Sequence, residues 1–536
     1  MQGLYDAVVI GSGFGGAITA CRLAQAGRSV CVFERGRRWG KADFPRTIGQ
    51  VRHAFWNEDD YGFLDYRSFK NIDVIQASGV GGGSLIYFNV QIEAPPRIFQ
   101  RGWPQAITRQ TLDPYYALVQ DMLDAVPLTP PDGRTLPPRT KAFFDATQGA
   151  GRKAELLKIA VYTGPDRQNP HSGVPQSGCV YSGNCGMGCH VHAKNTLDLN
   201  YLPLAEQQGA QVLPLHQVDK IEPAGQGYRV TYRNLQVGET GTIMGKQVLV
   251  AAGALGSTEL LLRCRDVHKT LPGLSETLGH HFSGNGDFIL AGTHRTPRDV
   301  NPSEGPSITA GVDFSADDQT IFVEDLGYPE PLLWYLEGAL PNADRATSVF
   351  NFIKTYVLRS LGLVRTGALG GTAPDLFEGG FTTRFLPYLG IGSDAADGQL
   401  RLRHGQLDID WSVRRSRRMF QQMEQAMKAL SRGIGGEYRT SILWTWPFRK
   451  LLTAHPLGGC PMGDDPSSGV VKPSGEVWGY DDLYVVDGSV IPTALGANPS
   501  MTIGALAERM SFWMIHGREM TMGDPQTPLN RSGSRV

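Results

Sequence analysis

Residues 6–34 constrain the fold more than any other part of the chain. Residues 6–10 (DAVVI) are apolar and β-branched, and read as a short buried strand. Gly11-Ser12-Gly13-Phe14-Gly15-Gly16 follows directly. Residues 17–26 read as a helix stopped by Gly27, and residues 29–33 (SVCVF) as a second strand. Glu34 closes that strand, 23 residues after Gly11. This is the order of a dinucleotide-binding βαβ unit. Gly11 permits the tight turn, Gly13 lets the backbone reach a pyrophosphate, and Gly16 lets helix and strand pack closely. The helix N-terminus faces the phosphates, and Glu34 can accept from a ribose hydroxyl. The spacing leaves both NAD and FAD open; the early position of the unit and the following Arg35-Gly36 favour FAD. Cys21 and Cys31 read as small buried residues of the same unit.

Glycine makes up 66 of 536 residues, about 12% against a usual ~7%, and it is clustered rather than periodic. That pattern suits backbone approaching a ligand in several places. Gly79-Val80-Gly81-Gly82-Gly83-Ser84, running on to Asn89, can wrap a planar ligand or donate N–H groups to it. Residues 248–257 (VLVAAGALGS) read as a strand entering a glycine turn at Ala252-Gly253, with a helix over 258–263. Residues 483–489 (LYVVDGS) read as a strand ending in Asp487-Gly488. His455 opens the sequence HPLGGC, and Asn498-Pro499 precedes a helix over 500–516.

Taken in this order, these segments resemble the glucose-methanol-choline (GMC) flavin oxidoreductases, and most closely their cholesterol-oxidase-like branch. The resemblance covers most of the chain and implies FAD as the ligand. The implied fold is α/β with α+β: a Rossmann-like FAD-binding domain assembled from discontinuous segments, and a substrate domain built on a large antiparallel sheet. The FAD domain is expected over 1–100, 190–290 and 450–536, and the substrate domain over 101–189 and 291–449. The implied FAD contacts are Gly11, Gly13, Gly16 and Glu34 in the first unit, then Gly79, Gly82, Gly83, Ser84 and Asn89 in the second cluster. Val218, in 211–221 (QVLPLHQVDKI), is expected beside the adenine. Ala252, Gly253, Asp487, Gly488, Asn498 and Pro499 complete the set.

The resemblance makes His455 the proton acceptor or the group that orients the alcohol, with Asn498 as its partner. A neutral imidazole near pH 7 suits that task, and a helix beginning at Asn498 would stabilise negative charge on the reduced flavin. Asn498 can equally serve as a plain helix cap. The branch also places a glutamate from the substrate domain over a steroid ring; within 322–330 (FVEDLGYPE), Glu330 matches its local pattern, with a solvated loop carboxylate as the alternative. The implied reaction is oxidation of a hydrophobic, sterol-like secondary alcohol to the ketone, with O2 reoxidising the flavin to give hydrogen peroxide. Two alternatives remain open at this point: a dehydrogenase feeding another electron acceptor, and a non-catalytic flavin-binding electron-transfer subunit. The presence of both His455 and Asn498 argues against the last.

Cys179, Cys185 and Cys189 lie within eleven residues of one another, with His190 and His192 beside them. Their thiolates are close enough in sequence to share a metal or an iron–sulfur cluster. Some GMC dehydrogenases hold a [3Fe-4S] cluster on three cysteines, and that expectation stands here beside buried thiols or a local disulfide. The seven cysteines, an odd number, fit a reducing compartment. Lys+Arg of 51 against Asp+Glu of 52 implies no strongly basic nucleic-acid face. No run of about 18 apolar residues and no signal-peptide pattern is visible, so the expectation is a cytoplasmic protein. Residues 348–369 have no acidic residue, and apolar positions recur at near-helical spacing alongside Lys354, Arg359 and Arg365. Such a helix packs on its own domain or rests on an anionic membrane surface.

Overall fold

Strand Leu4–Ile10 runs through the middle of the first sheet because its last four residues are apolar and can be buried on both faces. In the computed structural model, which describes residues 4–316, 319–332, 383–441, 444, 449–521 and 524, this strand lies between Val30–Phe33 and Thr240–Val250, parallel to both. Gln211–Leu213 extends the sheet beyond Val30–Phe33, and Leu483–Val485 pairs in parallel with the end of Thr240–Val250. The start of that long strand turns antiparallel instead, through Tyr228–Asn234 to His216–Pro223. Register aligns the strand ends: Ile10 sits opposite both Phe33 and Val250, and Val250 opposite Val485. The segments beginning at Gly11, Glu34, Ala251 and Val486 therefore leave one edge of the sheet together. The crevice outside the carboxyl ends of parallel strands is where such folds bind ligands.

Helix Phe14–Gln25 starts three residues earlier than the sequence pattern suggests, because Gly15 and Gly16 form its first turn with Gly13 as N-cap. It packs against helices Ser500–His516 and Tyr201–Gln207. The core between them includes Val8, Val9, Val32, Val248 and Leu249, all wholly buried. Each such side chain contributes ~1.5–3 kcal/mol relative to an exposed one. Helix Arg109–Met122 joins this core through Leu112, Tyr115, Tyr116 and Val119. Part of segment 101–189, placed with the substrate domain by sequence, thus packs with the nucleotide-binding sheet.

The second large sheet is antiparallel in every described pairing, in the order Glu437–Thr440, Phe288–His294, Leu386–Gly392, Ile321–Asp325, Ala310–Asp313, Glu155–Leu156. Helix Arg417–Gly433 covers it with Met419, Phe420, Met423, Met427 and Leu430, which recur at helical spacing and are buried. A small third sheet of Leu64–Ser68, Ile72–Ala77 and Leu451–Thr453 leads directly to His455. No helix among the described residues is long and apolar enough to cross a membrane. Segment 348–369 lies outside the described residues.

Candidate active site

The aligned strand ends open into one cavity of about 1170 Å³ that runs from the first sheet to the second. Gly11 has φ +102°, and a Cβ there would lie 2.3 Å from the Ala251 carbonyl oxygen. A Cβ on Gly16 would lie 2.0 Å from the Gly11 oxygen, so both glycines serve close packing. Gly13 differs: its Cβ would meet nothing closer than Gly82 Cα at 3.9 Å, and Gly13 lines the cavity. That is room left for a ligand beside a helix N-terminus, the arrangement that receives a pyrophosphate.

Glu34 is buried and also lines this space. Its carboxylate accepts from Ser12 N and Oγ (3.1 and 2.7 Å), Gly36 N (2.8 Å) and Gly79 N (3.2 Å). It therefore ties the first glycine turn to the second cluster, besides facing the site expected for a ribose. Burial pushes its pKa up, opposed by these hydrogen bonds. Asp487 acts similarly at the next strand end, accepting from Gly253 N (2.8 Å), Ser257 Oγ (2.5 Å) and Ser489 N (2.9 Å).

Gly82, Gly83, Val218, Ala252, Gly253, Gly488 and Pro499 line the cavity as well. Gly79, Ser84 and Asn89 do not. Gly79 meets Glu34, while Ser84 bridges the Gly81 oxygen (2.7 Å) and Leu197 N (3.1 Å). Asn89 is wholly buried at φ +65°, and neither polar atom of its side chain has a partner among the described residues.

At the other end, His455 and Asn498 reach the same cavity from segments 43 residues apart. His455 follows the short strand Leu451–Thr453, and its N–H donates to Thr453 Oγ1 (2.9 Å). Its Nδ1 lies 2.8 Å from Asp287 Oδ1. Asn498 is not the cap of the following helix, which is Pro499. Instead its Nδ2 donates to Glu324 Oε2 (3.3 Å). Glu324 is wholly buried in strand Ile321–Asp325. Burial drives its pKa well above the usual carboxylate range; the Asn498 hydrogen bond opposes this, and Asp325 and Asp287 add to it.

Glu330, the glutamate singled out from sequence, is exposed on the short turn Glu330–Leu332. The carboxyl that meets Asn498 is Glu324, six residues earlier. Two adjacent acids ending an apolar run (IFVED) were the available signal, because a strand inside a sheet turns at least one of them inward. Asp325 also points into protein, where it accepts from Thr309 N (2.7 Å) and faces Arg139 at 3.4 Å.

The cysteine cluster does not form a metal site. No group of three metal-ligating side chains comes together among the described residues, and all seven cysteines are free thiols, so the local disulfide is absent too. Cys179 Sγ accepts from Tyr181 N and Cys189 Sγ from Lys194 N, each at 3.4 Å. The space that the three thiols share is about 20 Å³, enough for roughly one water. Burial pushes the Cys179 thiol up to about 12. The residues therefore do not fit a [3Fe-4S] cluster.

Comparison with known proteins shows the family. The N-terminal family model of the GMC oxidoreductases matches residues 5–282, and the C-terminal one residues 392–507. The chain belongs to the GMC oxidoreductase family. It is 31% identical to a cholesterol oxidase of Mycobacterium tuberculosis, over 98% of this chain and 94% of that protein. A cholesterol oxidase of Acinetobacter baumannii is 30% identical, over 95% of this chain and 94% of its own. A long-chain-alcohol oxidase of Arabidopsis thaliana is 25% identical, over 94% of this chain and 67% of its own. The fold is shared with pyridoxine 4-oxidase from Mesorbium loti, at TM-score 0.62 and 18% identity over 95% of this chain and 98% of that one. Members of this family bind FAD, and the protein is an FAD-dependent alcohol oxidase or dehydrogenase. The open space at Gly13 and the elongated cavity fit that cofactor.

Proposed function

We propose that the protein oxidises a lipophilic, sterol-like secondary alcohol to the ketone, with O2 as the electron acceptor and hydrogen peroxide as the second product. One observation carries the substrate class: among the described residues, charge on the cavity wall is segregated. Glu34, Arg35, Asp219, Arg233, Glu259, Arg263 and Asp487 line it from the nucleotide-binding sheet and its connections, and Arg67 from the third sheet. Ile289, Leu290 and Leu389 line it from the second sheet, Tyr328, Pro329 and Leu332 from the segment after strand Ile321–Asp325, and Leu452 from the third sheet, with no lysine, arginine or carboxylate among them. A sugar or small polar alcohol would leave its hydroxyls unpaired there, at about 1–3 kcal/mol for each buried group. A hydrocarbon skeleton gains by the same burial. The cholesterol oxidases at 30–31% identity support this reading.

FAD, when bound, would supply the two-electron acceptor for the hydride of the carbinol carbon. The protein's task is the hydroxyl proton. His455 faces the cavity and no described residue bonds its Nε2, so that nitrogen is available to accept the proton. Asn498 stands before helix Ser500–His516, whose first residues Ser500 and Ile503 also line the cavity. That helix N-terminus favours negative charge in front of it. A flavin-binding subunit without catalysis has no need of this pair.

The test is anaerobic flavin bleaching in stopped flow against sterols, long-chain alcohols and sugars, followed by peroxide detection in air. Bleaching by sterols with peroxide release supports the proposal. Faster bleaching by sugars refutes the substrate class, and bleaching without peroxide makes the protein a dehydrogenase.

A further inference from the structure

Asp287 is buried, with its side chain 1% exposed, and its two oxygens face different donors. Oδ2 accepts from Ala454 N and from Thr453 Oγ1, each at 2.9 Å. Oδ1 lies 2.8 Å from His455 Nδ1. Thr453 Oγ1 in turn accepts from His455 N (2.9 Å), so the histidine's backbone and ring are held from one small cluster. A carboxylate only accepts hydrogen bonds. Facing it, His455 must carry its proton on Nδ1, which leaves the Nε2 lone pair for the cavity. The geometry points to Asp287 as the positioning residue that sets the tautomer of His455 and stabilises the imidazolium formed when Nε2 takes the substrate proton. This rests on the reading of His455 as the proton acceptor.

The surroundings make the inference sharply testable by Asp287→Asn. The Ala454 N–H is a fixed donor, so the new amide must turn its oxygen towards it; the opposite orientation sets two donors 2.9 Å apart. The amide NH2 then faces His455 Nδ1 and donates to it. The imidazole is forced into the tautomer with its proton on Nε2, which cannot accept from an alcohol. An isosteric change thus inverts the ring's function without moving it.

The measurement is ¹⁵N NMR of histidine-labelled holoenzyme, with His455 assigned by difference from His455→Gln, alongside anaerobic flavin reduction by alcohol. The wild-type neutral imidazole should show a protonated Nδ1 and a bare Nε2, and Asp287→Asn should show the reverse. Flavin reduction in Asp287→Asn should slow about 10²–10⁴-fold with FAD content unchanged. The double variant with His455→Gln should be no slower than His455→Gln alone, since Asp287 acts through His455.

A wild-type His455 with its proton on Nε2 overturns the proposal without any Asp287 variant. So does an Asp287→Asn enzyme that keeps the wild-type tautomer or reduces flavin within a few-fold of wild type. If His455→Gln itself reduces flavin normally, the reading of His455 fails instead, and the NMR result still decides what Asp287 does to the ring.

Discussion

Glu324→Gln should change how stability depends on pH. Glu324 is wholly buried, and burial, ahead of the nearby Asp325 and Asp287, raises its folded pKa well above the ordinary carboxylate value. In the unfolded chain the same group ionises at about 4.3. Between these two values the folded protein holds a proton that the unfolded chain has released, so stability falls as pH rises. The slope is ~1.4 kcal/mol per pH unit while the folded carboxyl stays protonated. Glutamine does not titrate, so the variant lacks this loss. The difference in stability, variant minus wild type, should grow by roughly 1.4 kcal/mol per unit from about pH 5 until the folded carboxyl itself titrates, whatever constant offset the amide introduces. Other carboxyls raised by burial, such as Glu34 and Asp487, are present in both proteins and cancel. For cooperative unfolding of a chain this long, that slope corresponds to roughly 1 °C in Tm per pH unit. Thermal scans followed by flavin fluorescence, at half-unit steps from pH 5 to 8, measure it. Parallel curves for the two proteins would refute the claim that Glu324 is protonated when folded.

His455→Ala should keep FAD bound while flavin reduction by alcohol falls ~10²–10⁴-fold; a rate within a few-fold of wild type ends its assignment as proton acceptor. Gly13→Val should fold but purify colourless, because its side chain enters open space meant for the cofactor. Gly11→Val should be lost to misfolding instead, since its Cβ would sit 2.3 Å from a carbonyl oxygen. The ratio of flavin to protein absorbance, with circular dichroism of each variant, separates these outcomes. Purified wild type should contain no stoichiometric iron, and the Cys179→Ser, Cys189→Ser double variant should retain flavin reduction; iron at three atoms per chain contradicts the geometry of the thiols.

How much could be read without coordinates follows from the range of the forces involved. The βαβ unit, the order of the glycine-rich strand ends, His455 and Asn498 were all legible in the sequence. Backbone sterics and strand or helix periodicity act over a few residues and leave local patterns. The helix at Phe14 began early for an equally local reason: two glycines were counted with the turn and belong to the helix. Which carboxylates meet the two site residues left no local trace. Asp287 reaches His455 across 168 positions of chain, and Glu324 reaches Asn498 across 174. Glu330 was singled out on its local pattern; the apolar run before Glu324 and Asp325 marks those two as the strand-borne acids, but only the sheet register decides which of them meets Asn498.

The cysteines show the same division. Their spacing is compatible with a shared ion, but only folding decides that the three thiols enclose room for about one water. The sequence alone determined where backbone can turn tightly around a dinucleotide and which residue types stand at the ends of those turns. The tertiary structure alone decided which buried acid faces which polar partner. That choice is made by strand register and packing between segments far apart in the chain, where a shift of one residue turns a side chain from one face of a sheet to the other.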